Sequence, residues 1–482
     1  MRRIKRSIVF CIALICVSCS DFLDVEPGLQ ISINEQLSTE EGVLQAYNGI
    51  YADVEELFSS VSSIYADLQG GNLSFTPRIG NKTIEVPANI ENSYSFNDIY
   101  NISDYESYYR DCYEIINQVN ILLERLTDFT FFTQKNINQL EAELLTIRAL
   151  MHYQVSIHYA QNYHFTSDAS HLGVVYNRRV LVPGVDFPRR ETMYQTYEFL
   201  KEDLDKALDL YTNVQLLSGP NYSYFNSTNT RSLYARIALQ MNDWSRARDL
   251  SDNVISNSGI SLTSTSNYIQ EWEANILPIQ EVVLEFSAPL NSDGNVSSSV
   301  ASNYFYNSSD NYARQIASGD IINLYESSDI RRSLFLEQQL ITLVNGLEVP
   351  VTYSFTKKFQ GDAGTLFIRL SEMYLIRAEA NARLGNNSIA VADINTIRNR
   401  AGLANLTNTS NILEEIFLER RKELAFEGFL LFDIIRYKKD VVRDLGCLAS
   451  LCNLNYPSNN FILPIPASSA DANQNIQQNE GY

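Results

Sequence analysis

Two carboxylates near the end of the chain, Glu427 and Asp433, flank Gly428 in EEIFLERRKELAFEGFLLFDIIRYKKD, residues 414–440. Such a pair hydrolyses a glycosidic bond when the two groups face a cleft ~5–10 Å apart. Their neighbours point elsewhere. Arg420, Arg421 and Arg436 stand ready to neutralise both acids, and Glu419, Lys422 and Glu423 crowd the same predicted helix. The expectation is a helix junction locked by ion pairs, with Gly428 just past a helix end. A glycan-degrading enzyme is kept as the alternative, and no catalytic residue is assigned. The four histidines, His152, His158, His164 and His171, include no pair four apart, and no HExxH, GxxxxGK[ST] or GxSxG occurs. No metal site and no cofactor are expected.

The other chemistry-bearing residue is Cys19. Arg2, Arg3, Lys5 and Arg6 precede an apolar run from Ile8 to Val17, and Ser18 and Cys19 follow. A basic start, a short apolar centre and a small residue before the break describe a signal peptide over residues 1–18. The run is shorter than the ~20 residues that span a bilayer. A plain secretory signal needs no terminal cysteine, whereas a lipoprotein signal uses the thiol to accept lipid, so Cys19 is the expected lipidation site. Cys16 is the weaker choice because bulky Ile15 precedes it, and Cys16 to Cys19, the one CxxC, would be split by cleavage. Asp21, Asp24 and Glu26 follow at once. Removing residues 1–18 moves the formal charge from −20 to −24, which argues against affinity for nucleic acid or anionic lipid. Cys447 and Cys452 are close enough in sequence to bridge, but spacing alone does not decide it.

Positioning these residues falls to helices. Thr39 to Phe58, Tyr105 to Leu126, Ile137 to Tyr159 and Glu191 to Leu210 carry helical apolar spacing. Long polar loops separate them: 69–98, 161–190, 213–229 and 287–319. A weak internal repeat joins TRSLYARIALQMNDWSRARDL (230–250) and EMYLIRAEANARLGNNSIAVADI (372–394). Each places alanines at the contact of two helices, Ala235 with Ala247 and Ala378 with Ala390, across a short polar turn. That is the packing logic of tetratricopeptide hairpins. EVVLEFSA (281–288) and FILPIP (461–466) are short apolar runs expected to pair locally. Trp244 and Trp272 read as packing residues. The expected class is mainly α, with tetratricopeptide-like helical hairpins, an irregular loop-rich ligand-binding region and few short strands.

Several stretches in order resemble the SusD/RagB outer-membrane lipoproteins. They are CSDFLDVEP (19–27), NILLERL (120–126), ELLTIRALMHYQVSIHYAQNY (143–163), YEFLKEDLDKAL (197–208) and IINLYESSDIRRSLF (321–335). The most specific are FIRLSEMYLIRAEANARLGNNSIAVADINTIRNRAGL (367–403), the 414–440 segment and the ending FILPIPASSADANQNIQQNEGY. The resemblance implies a helical scaffold at the outer face of the outer membrane, held by a lipid, with the acidic residues after Cys19 directing export. It implies a non-catalytic protein that captures a glycan, or in some branches a peptide, for a TonB-dependent transporter. Residues 19–230 would form an N-terminal helical region with ligand loops, and 231–482 a C-terminal region with the hairpins.

The resemblance also implies where a ligand sits: the loop before NILLERL and a mid-chain loop. Here these hold Asp67, Asn72, Phe75, Arg78, Asn81, Tyr100 and Tyr105, then Tyr304, Tyr306, Asn311, Tyr312 and Arg314. Aromatic faces cover the apolar face of a pyranose, and Asp, Asn and Arg hydrogen-bond its hydroxyls. A peptide would use the same groups on its backbone. With 29 tyrosines and only 2 tryptophans in the chain, tyrosine must supply any stacking surface.

Overall fold

The computed structural model describes residues 32–274, 280–286, 300–359, 364–407 and 410–482. The signal peptide, Cys19 and the acidic stretch lie outside the described residues. Ten longer helices carry the fold: α1 (Glu40–Ser59), α2 (Glu106–Glu124), α3 (Gln134–Tyr159), α4 (Met193–Leu210), α5 (Ser227–Gln240), α6 (Trp244–Asn257), α7 (Leu370–Arg383), α8 (Asn387–Arg400), α9 (Ile412–Glu423) and α10 (Leu430–Arg436). Among the described residues, no helix is long and apolar enough to cross a membrane.

Local chemistry sets the helix starts. Thr39 and Thr133 accept hydrogen bonds from Gly42 N and Asn136 N at the heads of α1 and α3. Thr192 with Gln195, and Asn226 with Asn229, form capping boxes on α4 and α5. Each cap satisfies backbone donors that a helix start leaves unpaired. The four predicted long helices match α1 to α4 within a few residues.

The two repeats become the hairpins α5–α6 and α7–α8, and α6 packs on α7. Ala235, Ala247, Ala378 and Ala390 are all fully buried. Small side chains there let the helix backbones approach closely, so the repeats stack although far apart in sequence. Residue 230, the expected boundary between two regions, lies inside α5, whose apolar residues belong to a core shared with α1 to α4, α7 and α10.

Among the described residues, eight strands form four two-stranded antiparallel pairs. β1 (Leu73–Phe75) pairs with β5 (Gln315–Ala317), β2 (Val282–Phe286) with β8 (Thr365–Arg369), β3 (Tyr306–Ser308) with β4 (Asn311–Tyr312), and β6 (Phe335–Val344) with β7 (Leu347–Thr356). The expected strand at 281–288 is therefore present over its described part. The run 461–466 pairs with no strand: Leu463 N instead donates to the carbonyl of His158, and Ile465 N to Gln478. The β6–β7 hairpin escaped the sequence reading. Its signal was Asn345-Gly346 between two apolar-rich runs, and both residues adopt the positive φ of a two-residue hairpin turn. Cys447 and Cys452 form a disulfide with Cα atoms 5.9 Å apart.

Candidate functional site

The charged chemistry of 414–440 resolves first. Glu427 accepts from Lys358 at 2.7 Å and from Arg369 at 2.8 Å. Asp433 accepts from Arg420 at 3.0 Å and also pairs with Arg436, which meets Glu379. Burial would raise both carboxyls, but their arginine and lysine partners hold them below the usual carboxylate range. A fully ionised, fully paired carboxylate cannot act as a general acid. Glu423 joins Arg331, Arg369 and Arg400 in the same buried junction.

Asp67 and Asn72 belong to this junction as well. Asp67 is completely buried. Its carboxylate accepts from Gly428 N at 2.7 Å, Phe426 N at 3.2 Å and Asn72 Nδ2 at 2.6 Å. Phe426 and Gly428 both hold positive φ in the turn between α9 and α10. Asp67 thus closes a tight turn 361 residues downstream, and burial pushes its carboxyl up to about 6 against those hydrogen bonds. Asn72 Oδ1 accepts from Arg421 Nε at 2.9 Å.

The tyrosines divide by burial. Tyr105 is buried and packs edge-on against Tyr65. Tyr304 is buried beside Phe359 and Phe426. In this conformation neither offers a face to a ligand. Phe75 is buried too, against Tyr94. Tyr100 is exposed, but at a separate place, where its hydroxyl donates to Asp471 at 2.9 Å.

The remaining predicted residues come together on one face. β1–β5 pairing brings the 76–86 loop against 306–314, and Thr76 N donates to the Arg314 carbonyl at 2.9 Å. The β6–β7 hairpin closes the third side: Leu343 N donates to the Lys82 carbonyl at 2.8 Å, and Lys82 pairs with Glu348 at 2.8 Å. Tyr312 is buried and its hydroxyl donates to the Pro77 carbonyl at 3.0 Å. Tyr306 is half-buried. Its ring lies nearly parallel to Tyr312 at 6.5 Å and packs on Phe355 at 4.9 Å. Two core rings therefore back an aromatic surface that reaches solvent.

Around that ring sit exposed polar groups. Arg78 pairs loosely with Glu85 at 3.3 Å, and both are more than 40% exposed. Asn81 Oδ1 accepts from Thr83 N and Oγ1, and Asn311 is exposed. Arg314 is half-buried and its Nη2 donates to the Glu85 carbonyl at 2.7 Å. Burial lowers its affinity for a proton, with Arg78 adding to that and Glu85 opposing it. A supported aromatic ring that reaches solvent can stack on one side of a ligand, with polar groups of the same loops to hydrogen-bond its edge. Sequence reasoning missed Glu85, and it missed Lys82 and Glu348, whose pairing depends on the unread hairpin.

Comparison with known proteins agrees with this architecture. A family profile described as "SusD family" matches residues 350–482, and one described as "Starch-binding associating with outer membrane" matches residues 21–239. Starch-binding protein SusD of Bacteroides thetaiotaomicron is 32% identical over 127 residues, covering 25% of this chain and 22% of that protein. A SusD-like protein of Formosa agariphila is 22% identical, covering 97% of each. The crystal structure of a SusD superfamily protein from Bacteroides thetaiotaomicron superposes with a TM-score of 0.79 at 23% identity, covering 92% of this chain and 99% of that one. At that identity the structural likeness is one of fold, and the sequence matches supply the kinship. The chain belongs to the SusD/RagB family.

Proposed function

We propose that this protein is a non-catalytic, lipid-anchored outer-membrane protein that captures a glycan and hands it to a TonB-dependent transporter. Cys19 would carry the anchor, and the protein would face the cell exterior. The observation that carries the binding role is the loop face: Tyr306, backed by Tyr312 and Phe355, in the same loop cluster as the half-buried Arg314 and the solvent-reaching Arg78 and Glu85. A neutral sugar ring fits that combination, because its C–H face needs an aromatic surface and its hydroxyls need edge donors and acceptors. The matched family description, "Starch-binding associating with outer membrane", and the starch-binding protein SusD support a glycan as the ligand and the outer membrane as the location. The paired state of Glu427 and Asp433 supports a binding protein over a glycosidase.

The test is calorimetric titration of the full-length chain in detergent with malto- and laminari-oligosaccharides and with a peptide mixture, followed by chromatography of the recovered ligand. Binding of one glycan class, recovered uncut, supports the reading. Cleaved glycan, or binding of peptides alone, overturns it. Transfer is tested by co-purification with a large outer-membrane β-barrel.

A further inference from the structure

Residues 211–226 link α4 to α5, and their only regular structure is the short 3-10 turn Asn221–Ser223. Connections of this length without secondary structure are functional or disordered. This one is ordered by its own side chains. Gln215 Nε2 donates to the carbonyls of Leu217 and Gly219, the Tyr224 hydroxyl to that of Ser218, and Asn226 Nδ2 to that of Asn221.

Both ends of the loop are tied to one buried group, Glu143. At the start, Thr212 N donates to Gln139 Oε1, while Gln139 Nε2 donates to Glu143 Oε1 at 2.8 Å. At the end, Phe225 N donates to the Tyr51 hydroxyl, which donates to Glu143 Oε2. Tyr47 donates to that same oxygen. A carboxylate has about four acceptor sites. These three bonds leave one, on Oε1.

Between the loop, α1 and α3 lies a cavity of about 420 Å³. Small-molecule sites run to about 300–1,000 Å³. Tyr222 and Tyr224 contribute ring surface, and Asn213, Thr228 and Glu143 contribute polar groups. The Tyr222 hydroxyl and the Asn213 amide make no hydrogen bond among the described residues, and no lysine, arginine or histidine lines the wall.

We infer that this cavity is a second binding site, taking a single neutral sugar ring or a polyol of similar size. Its tyrosine faces suit the C–H side of the ring, and its free amide, free hydroxyl and spare carboxylate acceptor suit the hydroxyls. The carboxyl of Glu143, with no cation beside the cavity, makes the same site unsuited to a uronic acid. The cavity shares no residue with the loop face around Tyr306 and stands or falls apart from it.

Saturation-transfer NMR on the full-length chain in detergent tests the inference, with glucose, galactose, mannose and N-acetylglucosamine as probes and glucuronate as the charged control. At least one neutral sugar should bind at millimolar concentration, with glucuronate silent. Tyr222→Ala and Asn213→Ala should each weaken that binding about tenfold. Tyr222→Phe, which keeps the ring and the fold, should weaken it by a smaller factor. The inference fails if no neutral sugar binds, if glucuronate binds equally, or if all three folded variants bind like the parent. Failure here would leave the oligosaccharide titration above unaffected, since that reads a different face.

Discussion

The α9–α10 junction and the Tyr306 face use the same residue types, arginine, carboxylate and aromatic ring, to opposite ends. In the junction Glu423, Arg331, Arg369 and Arg400 are buried and spend their charges on one another. On the face, the side chains of Arg78 and Glu85 reach solvent and Arg314 is half-buried. Residue type therefore does not separate scaffold from site. What separates them is burial: the junction's charges are sealed in the interior, while the side chains of Arg78 and Glu85 reach solvent.

Four perturbations would break or sharpen that contrast, and the largest belongs to the junction. Glu423→Ala leaves three buried guanidinium groups short of a counter-charge, at a cost of about 3–5 kcal/mol. It should lower the urea midpoint of unfolding strongly or abolish soluble expression. Glu427→Gln should destabilise by about 1–3 kcal/mol by leaving Lys358 and Arg369 underpaired, and under the proposed binding role glycan should be recovered intact from parent and variant alike. On the face, Tyr306→Ala should cost about 1–2 kcal/mol of ligand affinity, read by calorimetry, with a smaller change in the unfolding midpoint. The smallest effect is expected from Glu348→Ala, which removes an exposed pair with Lys82 worth less than about 1 kcal/mol.

A pH titration probes a third buried group. His152 stacks on Tyr176 at 3.8 Å, donates through Nδ1 to the Arg148 carbonyl and accepts through Nε2 from Asn177 N. A second proton would remove that acceptor. Burial, with Arg148 and Arg178 nearby, lowers its pKa to about 3 against an ordinary 6.5. A histidine with a depressed folded pKa contributes stability fully above the unfolded value, and loses it as pH falls from 6.5 towards 3. The parent chain should therefore lose more stability than His152→Gln when urea unfolding is compared at pH 7.5 and 5.

Much of the scaffold was legible in the sequence. Apolar spacing located α1 to α4, the alanine offsets located both hairpins, and Arg420 and Arg436 pair with Asp433 as expected, whereas Glu427 is neutralised by the sequence-distant Lys358 and Arg369 and Arg421 turns to Asn72. The site was less legible, for a physical reason. Asp67 and Asn72 read as ligand groups because they sit in a polar stretch, and only the fold brings Gly428 N and Arg421 against them. Tyr304 and Tyr306 are two residues apart, yet one is buried among Phe359 and Phe426 and the other reaches solvent. Burial of that kind depends on contacts between distant segments and leaves no local trace. The β6–β7 hairpin did leave one, in Asn345-Gly346, and it went unread.

The central claim is that the Tyr306–Arg314 face holds the ligand while the buried carboxylates hold the fold. The most direct test is a side-by-side calorimetric titration of the parent chain, Tyr306→Ala and Arg314→Ala with the oligosaccharide that binds best, each variant first shown to be folded. The account predicts that both variants lose about five- to thirtyfold in affinity and that the oligosaccharide is recovered intact. Unchanged affinity in both variants would contradict it.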